Sequence, residues 1–276
     1  MACGREPVTD SMRPGAPLAT LEMPRALATP DPLVDAALAG LVAVVTGASS
    51  GVGRAIALAL AARRAVICAV GRDSGRLARV ARDARSTARD VLVHQADLGS
   101  EDEVGRLARR IRNELGRLDV LVHSAGILRV GSHAETPAHE LDLQYRVNVR
   151  APYHLTQALL PLLRASHGQV VFINSSAGLR AGRTNGAYAS TKHALRALAD
   201  SLRDEVNADG VRVLSVYPGR MATPMQQALF AREGRAYDPA RLLAPEDVAA
   251  MVVAVLSLPH RAEVTDISIR PTRTPS

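Results

Sequence analysis

Tyr188 and Lys192 stand four residues apart in Tyr188-Ala189-Ser190-Thr191-Lys192. Lys192 is the only lysine among the 34 lysines and arginines of the chain. A strong bias toward arginine has passed over this one position. Arginine is a poor stand-in where chemistry needs a compact ammonium whose pKa can move. Apolar residues recur at helical spacing from Gly186 to Ala208, and residues four apart share a helix face. The Lys192 ammonium then stands beside the Tyr188 phenol, favours phenolate and lowers the tyrosine pKa from about 10. A phenol brought toward neutrality exchanges protons at working pH. Proton transfer to or from an oxygen is the chemistry this pair offers.

A second chemical element lies near the start of the folded region. The short apolar run Leu41-Val42-Ala43-Val44-Val45 leads into Thr46-Gly47-Ala48-Ser49-Ser50-Gly51-Val52-Gly53-Arg54, and an Ala-rich helix follows through Ala61. Strand, glycine-rich turn and helix N-terminus together make an anion site. Backbone N–H groups and the helix dipole face a phosphate, and the missing side chains let a pyrophosphate approach. Gly47, Ser49, Ser50, Gly51, Val52 and Gly53 are the candidate dinucleotide-binding residues. In this context the dinucleotide reading outweighs that of a purely structural turn.

The elements that must position these groups alternate along the chain. Strands are predicted at 41–45, 65–70, 91–95, 119–123, 169–174, 211–217 and 264–269. Helices are predicted at 73–87, 100–115, 138–163, 186–208 and 245–256, with Asp73 and Ser100 as caps. Strands separated by helices imply parallel βαβ units and a doubly wound, Rossmann-type α/β sheet in three layers, as a single domain. Ligands of such sheets bind beyond the carboxyl ends of the strands. Those ends carry Gly71-Arg72-Asp73, Asp97-Leu98, Ser124-Ala125-Gly126, Ser175-Ser176 and Pro218-Gly219. After the second strand an acid would bind the ribose 2′-hydroxyl of NAD, whereas an arginine matches the 2′-phosphate of NADP. With Asp73 used as a cap, Arg72 favours NADP(H) over NAD(H).

The totals exclude several classes. The chain has 276 residues, net charge +7 and 47% hydrophobic content, enough for a large core. Its arginines are scattered among acids, and aromatics are only 3%, so a nucleic-acid partner is not expected. No transmembrane run and no metal ligand set is expected. Cys3 and Cys68 fall in a tail and a buried strand, which argues against a disulfide and for a reducing cytoplasm. Residues 1–40 hold six of the 16 prolines and no continuous apolar stretch. They are expected to be a disordered extension and neither a secretory signal nor a transit peptide.

Taken together, these residues resemble the short-chain dehydrogenase/reductase superfamily in its single-domain form. Thr46-Gly47-x-x-x-Gly51-x-Gly53 matches its cofactor motif, Asp97 its acid beside the adenine, and Asn148 its helix-borne asparagine. Tyr188-x-x-x-Lys192 matches its catalytic pair, and Pro218-Gly219-x-x-x-Thr223 its segment after the sixth strand. The family spacing places the catalytic serine 13 residues before the tyrosine, at Ser175, with Ser176 as the alternative. The family's Asn-Asn-Ala-Gly is here His123-Ser124-Ala125-Gly126, so the turn is expected to be kept, with the Ser124 hydroxyl able to retain part of the asparagine's bracing role.

The resemblance implies a catalytic set of Asn148, Ser175, Tyr188 and Lys192. Tyr188 would be the general acid or base, Ser175 would orient the substrate, and Lys192 would bind ribose hydroxyls. Asn148 would anchor a water in a proton relay. It adds Leu98, Ser124, Ala125, Gly126, Asn148, Tyr188, Lys192, Pro218, Gly219, Met221 and Thr223 to the cofactor contacts, and homodimers or homotetramers as the assembly. Residues 220–244 are expected to fold over a small carbonyl or alcohol substrate. Met221, Met225, Leu229 and Phe230 fit either a pocket lining or a core, and Leu128, Leu179 and Arg183 are further pocket candidates. Competing readings are a non-catalytic NADP-binding sensor or partner protein, and a lyase or epimerase on the same scaffold.

Overall fold

The strands fill with apolar residues because both faces of the sheet are covered. In β1 (Val42–Thr46), β4 (Val120–His123), β5 (Gln169–Ile173) and β6 (Arg212–Pro218), nearly every residue is buried. A continuous apolar run of this kind is the signature of a parallel strand sandwiched between helix layers. β2 (Val66–Gly71) is likewise buried, whereas β3 (Asp90–Gln95) and β7 (Asp266–Ile269) alternate toward solvent as edge strands. The computed structural model describes residues 36–272, and in it these seven strands form one parallel sheet in the order β3-β2-β1-β4-β5-β6-β7.

Two helix layers complete the doubly wound architecture. On one face, α1 (Gly51–Ala61), α2 (Ser74–Arg85) and α8 (Pro245–Leu256) bury Ile56, Leu60, Leu77, Val80, Val248 and Val252 against the sheet. On the other, α3 (Glu101–Leu115), α5 (Ala151–Ser166) and α6 (Gly186–Val206) bury Leu107, Ile111, Leu155, Leu159 and Leu195. Each such side chain contributes ~1.5–3 kcal/mol of burial. Asp73 caps α2 by accepting from the Arg76 N–H at 2.8 Å, and Ser100 caps α3 by accepting from the Glu103 N–H at 3.4 Å. Gly116, at φ 63°, ends α3 in the left-handed conformation that glycine adopts without strain.

Three boundaries differ from the sequence reading. The helix expected over 138–163 is α4 (Ala138–Tyr145), a π-turn (Arg146–Arg150) and then α5. The π-turn carries Asn148, and a pattern of apolar residues cannot distinguish one extra residue in a turn from continuous α-helix. β7 begins at Asp266 and not at 264. Most of the Pro-rich stretch 1–40, with Cys3, lies outside the described residues, but Leu38 is fully buried in the first core. Packing therefore reaches ahead of the expected boundary at 41. Among the described residues no helix is long and apolar enough to cross a membrane, and Cys68 is a free, buried thiol.

Candidate active site

Chain order reverses at β1, which lies between β2 and β4. The carboxyl ends of the strands diverge there and open a cleft of about 580 Å³. Its walls carry Gly47, Ser49, Ser50, Gly51, Val52, Gly53, Arg72, Asp97, Leu98, Ser124, Ala125, Gly126, Tyr188, Lys192, Met221 and Thr223. Three expected cofactor contacts are not among its walls: the fully buried Asn148, and Pro218 and Gly219. Pro218 and Gly219 close the end of β6, where the Gly219 N–H donates to Ile269 O of β7 at 2.8 Å. The sheet's last pairing consumes this segment, and the chain reaches the cleft only at Met221.

The glycine turn has the shape of a phosphate cradle. Gly47 has φ +69°, and a Cβ there would stand 2.7 Å from Ala125 N. A Cβ at Gly53 would stand 2.5 Å from Gly47 O. The turn is pressed against the β4 end on one side and its own helix on the other, so no side chain fits at either position. Thr46 makes the tie between the two loops. Its Oγ1 accepts the N–H groups of Ser124 at 3.1 Å and Ala125 at 3.2 Å and donates to Val122 O at 3.2 Å. The bracing expected of Ser124 therefore comes from Thr46, because Ser124 Oγ has no hydrogen-bond partner among the described residues.

Past β2, the exposed Arg72 and Arg76 both line the cleft. Asp73 sits between them with its carboxylate engaged, accepting the Arg76 N–H through Oδ1 and pairing with Arg76 Nε through Oδ2 at 3.2 Å. Asp97 lines the cleft past β3, held by its own Oδ1 accepting from the Gly99 N–H and by its N–H donating to Glu103 Oε2 at 2.8 Å.

Tyr188 and Lys192 line the cleft, with Ser175 and Asn148 packed behind them. The Ser175 hydroxyl accepts from the Ala177 N–H at 3.1 Å and is hydrogen-bonded to the Tyr188 phenol. Ser176 is exposed and begins the following 3₁₀ turn, so Ser175 is the serine beside Tyr188. Lys192 is 4% exposed, donates from Nζ to Ile173 O at 3.1 Å, and places Nζ 5.8 Å from the centre of the Tyr188 ring. Asn148 is fully buried. Its Oδ1 accepts from the Ile127 N–H at 2.9 Å, and its Nδ2 donates to Ile127 O at 2.9 Å and Thr191 Oγ1 at 3.1 Å. Both amide protons are thereby used, so the carboxamide braces the loop after β4, and a relay water would have to donate to an Asn148 oxygen. Thr191 Oγ1 in turn donates to the Tyr188 backbone carbonyl at 2.7 Å, so the start of α6 is tied to the π-turn through Asn148.

The electrostatics reverse one expectation. Burial pushes the Tyr188 phenol up to about 12, and the hydrogen bond from Ser175 offsets only part of that. Burial pushes the Lys192 ammonium down to about 8. Both side chains lose water, and the loss disfavours the charged form of each more than their mutual proximity favours it. At neutral pH Tyr188 therefore keeps its proton. Beside it, the residues of the segment 220–244 divide by place. Met221 and Met225 line the cleft, whereas Phe230 is 3% exposed and packed between the guanidinium groups of Arg220 and Arg235, each 4.9 Å from its ring. Arg220 and Glu233 tie this segment to itself through two contacts of 3.0 and 3.1 Å. Leu128, Leu179 and Arg183 do not line the cleft.

A family model for short chain dehydrogenase matches residues 41–234. The chain belongs to the short-chain dehydrogenase family. An uncharacterised oxidoreductase of Staphylococcus epidermidis is 34% identical over 231 residues, 83% of this chain and 96% of the relative. A short-chain type dehydrogenase/reductase of Sinorhizobium fredii is 32% identical over 237 residues, 84% and 91% of the two chains. Among solved structures, an alcohol dehydrogenase of the archaeon Thermococcus sibiricus, complexed with 5-hydroxy-NADP, has a TM-score of 0.77 at 28% identity, covering 86% of this chain and 99% of that one. L-sorbose reductase of Gluconobacter frateurii, complexed with NADPH and L-sorbose, has a TM-score of 0.75 at 26% identity, covering 84% and 95%. This short-chain dehydrogenase is thus an NAD(P)-dependent oxidoreductase. Thr46, Arg76, Asn174 and Thr191 had no assigned role in the sequence reading. Thr46 opens the matched cofactor motif, and Asn174 and Thr191 adjoin the matched Ser175 and Lys192, which is the one signal that marked them in advance.

Proposed function

We propose that this oxidoreductase uses NADP(H) in preference to NAD(H) and interconverts a carbonyl and a secondary alcohol, with Tyr188 as the proton-transferring group. The observation that carries the reading is the placement of Tyr188 and Lys192 on the wall of the cleft that also holds the glycine cradle, with Ser175 beside the Tyr188 phenol. The cradle fits a dinucleotide pyrophosphate, since it presents backbone N–H groups at a helix start where any side chain would clash. Gly47, Ser49, Ser50, Gly51, Val52 and Gly53 would hold the phosphates, and Asp97 and Leu98 would flank the adenine. Arg72 would meet a 2′-phosphate, since the Asp73 carboxylate is already engaged by Arg76 and is poorly placed to serve a ribose hydroxyl.

When bound, the nicotinamide cofactor supplies hydride to the carbonyl carbon or takes it back from the alcohol. Everything else falls to the chain. Ser175 Oγ donates toward the oxygen that develops negative charge and holds it beside Tyr188. Tyr188 Oη passes its proton to that oxygen as the carbonyl becomes an alcohol, and in the reverse direction takes it up. Lys192, protonated at neutral pH, stabilises the phenolate that remains. Asn148 keeps the loop after β4 at the distance from α6 that leaves the cleft open. Met221 and Met225 cover the cleft and exclude water.

The same reading includes homodimers or homotetramers through α5 and α6, a cytoplasmic setting suited to the free Cys68, and no nucleic-acid partner. Light scattering checks the assembly. The cofactor test is fluorescence titration with NADPH and NADH on wild type and Arg72→Asp. NADPH is expected to bind more tightly to wild type, and the preference to shrink in the variant. Tighter NADH binding by wild type overturns the NADP assignment.

A further inference from the structure

Asn174 follows β5 directly and precedes Ser175. It is 4% exposed and lines the cleft. Its Nδ2 donates to the backbone carbonyl of Lys192 at 3.1 Å. Its neighbour Ile173 accepts from the Nζ of the same lysine at 3.1 Å. Lys192 is therefore fastened at both ends, backbone and ammonium, to two consecutive residues at the end of β5. The other face of the Asn174 carboxamide is also occupied. Gly178 closes the 3₁₀ turn that carries Ser175, and a Cβ there would stand 2.5 Å from Asn174 Oδ1 and 3.0 Å from Lys192 O. The carboxamide is thus packed between the Ser175 turn and the Lys192 helix, and its thickness sets their separation. A buried donor meeting a buried carbonyl in this way is costly to remove, because the carbonyl is left unpaired.

We propose that Asn174 is a positioning residue, which fixes α6 to β5 at Lys192 and so sets where the Lys192 ammonium and the Ser175 hydroxyl stand relative to Tyr188. It touches no reacting atom in this role. It acts through its two neighbours, and the proposal rests on the catalytic reading of Ser175, Tyr188 and Lys192 given above. The second brace, from Thr191 to Asn148 and to Tyr188 O, holds the tyrosine end of the same helical turn. The two braces together immobilise both ends of the Tyr188–Lys192 segment without using either reactive side chain.

The sole lysine makes a direct test available. Protein labelled with ¹³C-lysine gives one lysine Cε resonance. In Asn174→Ala the Lys192 Cε signal is expected to shift, and its titration midpoint to move by about half a unit or more toward the ordinary lysine value, as water enters the released space. With NADPH and a carbonyl substrate, kcat is expected to fall about tenfold or more, since a misplacement on the order of 1 Å costs up to ~10²-fold. Substrate KM should stay within about threefold of wild type. Asn174→Asp keeps the shape but replaces the donor with a charge. It is expected to raise the Lys192 midpoint even if the alanine variant fails to fold. An unmoved Lys192 signal and midpoint in a folded variant, with kcat within about twofold of wild type, overturns the proposal and leaves the catalytic reading intact. A moved Lys192 signal in a protein whose wild type turns over no carbonyl with either cofactor overturns the catalytic reading and leaves the clamp standing.

Discussion

Lys192 titrates without interference, because no other lysine is present. Its ammonium is pushed from 10.5 down to about 8 by burial. At about 1.36 kcal/mol per pKa unit, that fall corresponds to roughly 3 kcal/mol against the charged form. The sign for stability follows from proton counts. Between pH 8 and 10.5 the unfolded chain holds the proton that the native state has released, so native stability rises with pH through that window. Below pH 8 the full cost of the buried ammonium is present. Tyr188 acts the other way and higher up. Its phenol moves from 10 to about 12, so the stability it contributes is full below pH 10 and is lost as pH rises through 12. Buried Cys68, raised from 9.0 to about 12, also opposes stability above pH 9, but equally in wild type and a Lys192 variant, so the window from pH 8 to 10 is read as the difference between the two. In Lys192→Met the cost disappears, while Ile173 O loses its donor at a cost of ~1–3 kcal/mol. The variant is therefore expected to be between about as stable as wild type and ~2 kcal/mol more stable at neutral pH, a rise of at most several °C in Tm. Wild type should then gain on it by about 2 kcal/mol between pH 8 and 10. Urea denaturation across that range reads the difference, and the ¹³C Cε midpoint of labelled wild type reads the pKa itself. A midpoint near 10.5, or parallel stability curves, refutes the claim that burial governs this ammonium.

Other outcomes follow from the same geometry. Tyr188→Phe removes the proton but leaves the cradle, so turnover is expected to fall by at least ~10²–10⁴-fold while NADPH titration still shows binding. Gly47→Ala places a Cβ 2.7 Å from Ala125 N at φ +69°. It should cost on the order of 1–3 kcal/mol in urea denaturation and abolish NADPH binding through the displaced turn. Glu233→Gln opens the bidentate contact to Arg220, which is worth on the order of 1 kcal/mol at this partial exposure. Substrate KM is expected to rise several-fold with NADPH affinity within about twofold, by steady-state kinetics beside titration. The same pair has a pH signature. Burial raises the Glu233 carboxyl, but its hydrogen bonds and charge pairing with Arg220 and Arg235 outweigh that and leave it lowered. The latch therefore holds at neutral pH and is lost as pH falls through that lowered value, where KM should climb toward that of the variant.

Much of the fold was legible because its determinants are local. Apolar runs bounded by Gly and Asp mark the strands, and Asp73 and Ser100 cap helices through side chains that reach only three residues. The helix over 138–163 was misread for a physical reason. A π-turn adds one residue to a turn without changing which residues are apolar, so Val147 and Val149 keep a pattern that continuous α-helix also allows. Pro218 and Gly219 were placed at the cofactor by motif position, yet the pairing of β6 with β7 draws them away from the cleft. That pairing joins residues about fifty positions apart, beyond the reach of any local pattern.

By itself the sequence determined which groups are available: one lysine four residues from a tyrosine, a serine 13 residues upstream, glycines where a phosphate must approach, and an arginine after the second strand. These are choices of chemical type, and spacing on a single helix or turn suffices to read them. The tertiary structure decided the energetics. Whether Lys192 lowers the phenol depends on how much water each group loses, and that is set by β5, α6 and the loop after β4 closing around both. It also decided the bracing. Thr46 takes the part expected of Ser124, Asn148 is spent on Ile127 and Thr191, and Asn174 grips Lys192, because hydrogen-bond partners are fixed by which chain segments the sheet brings within about 3 Å of one another.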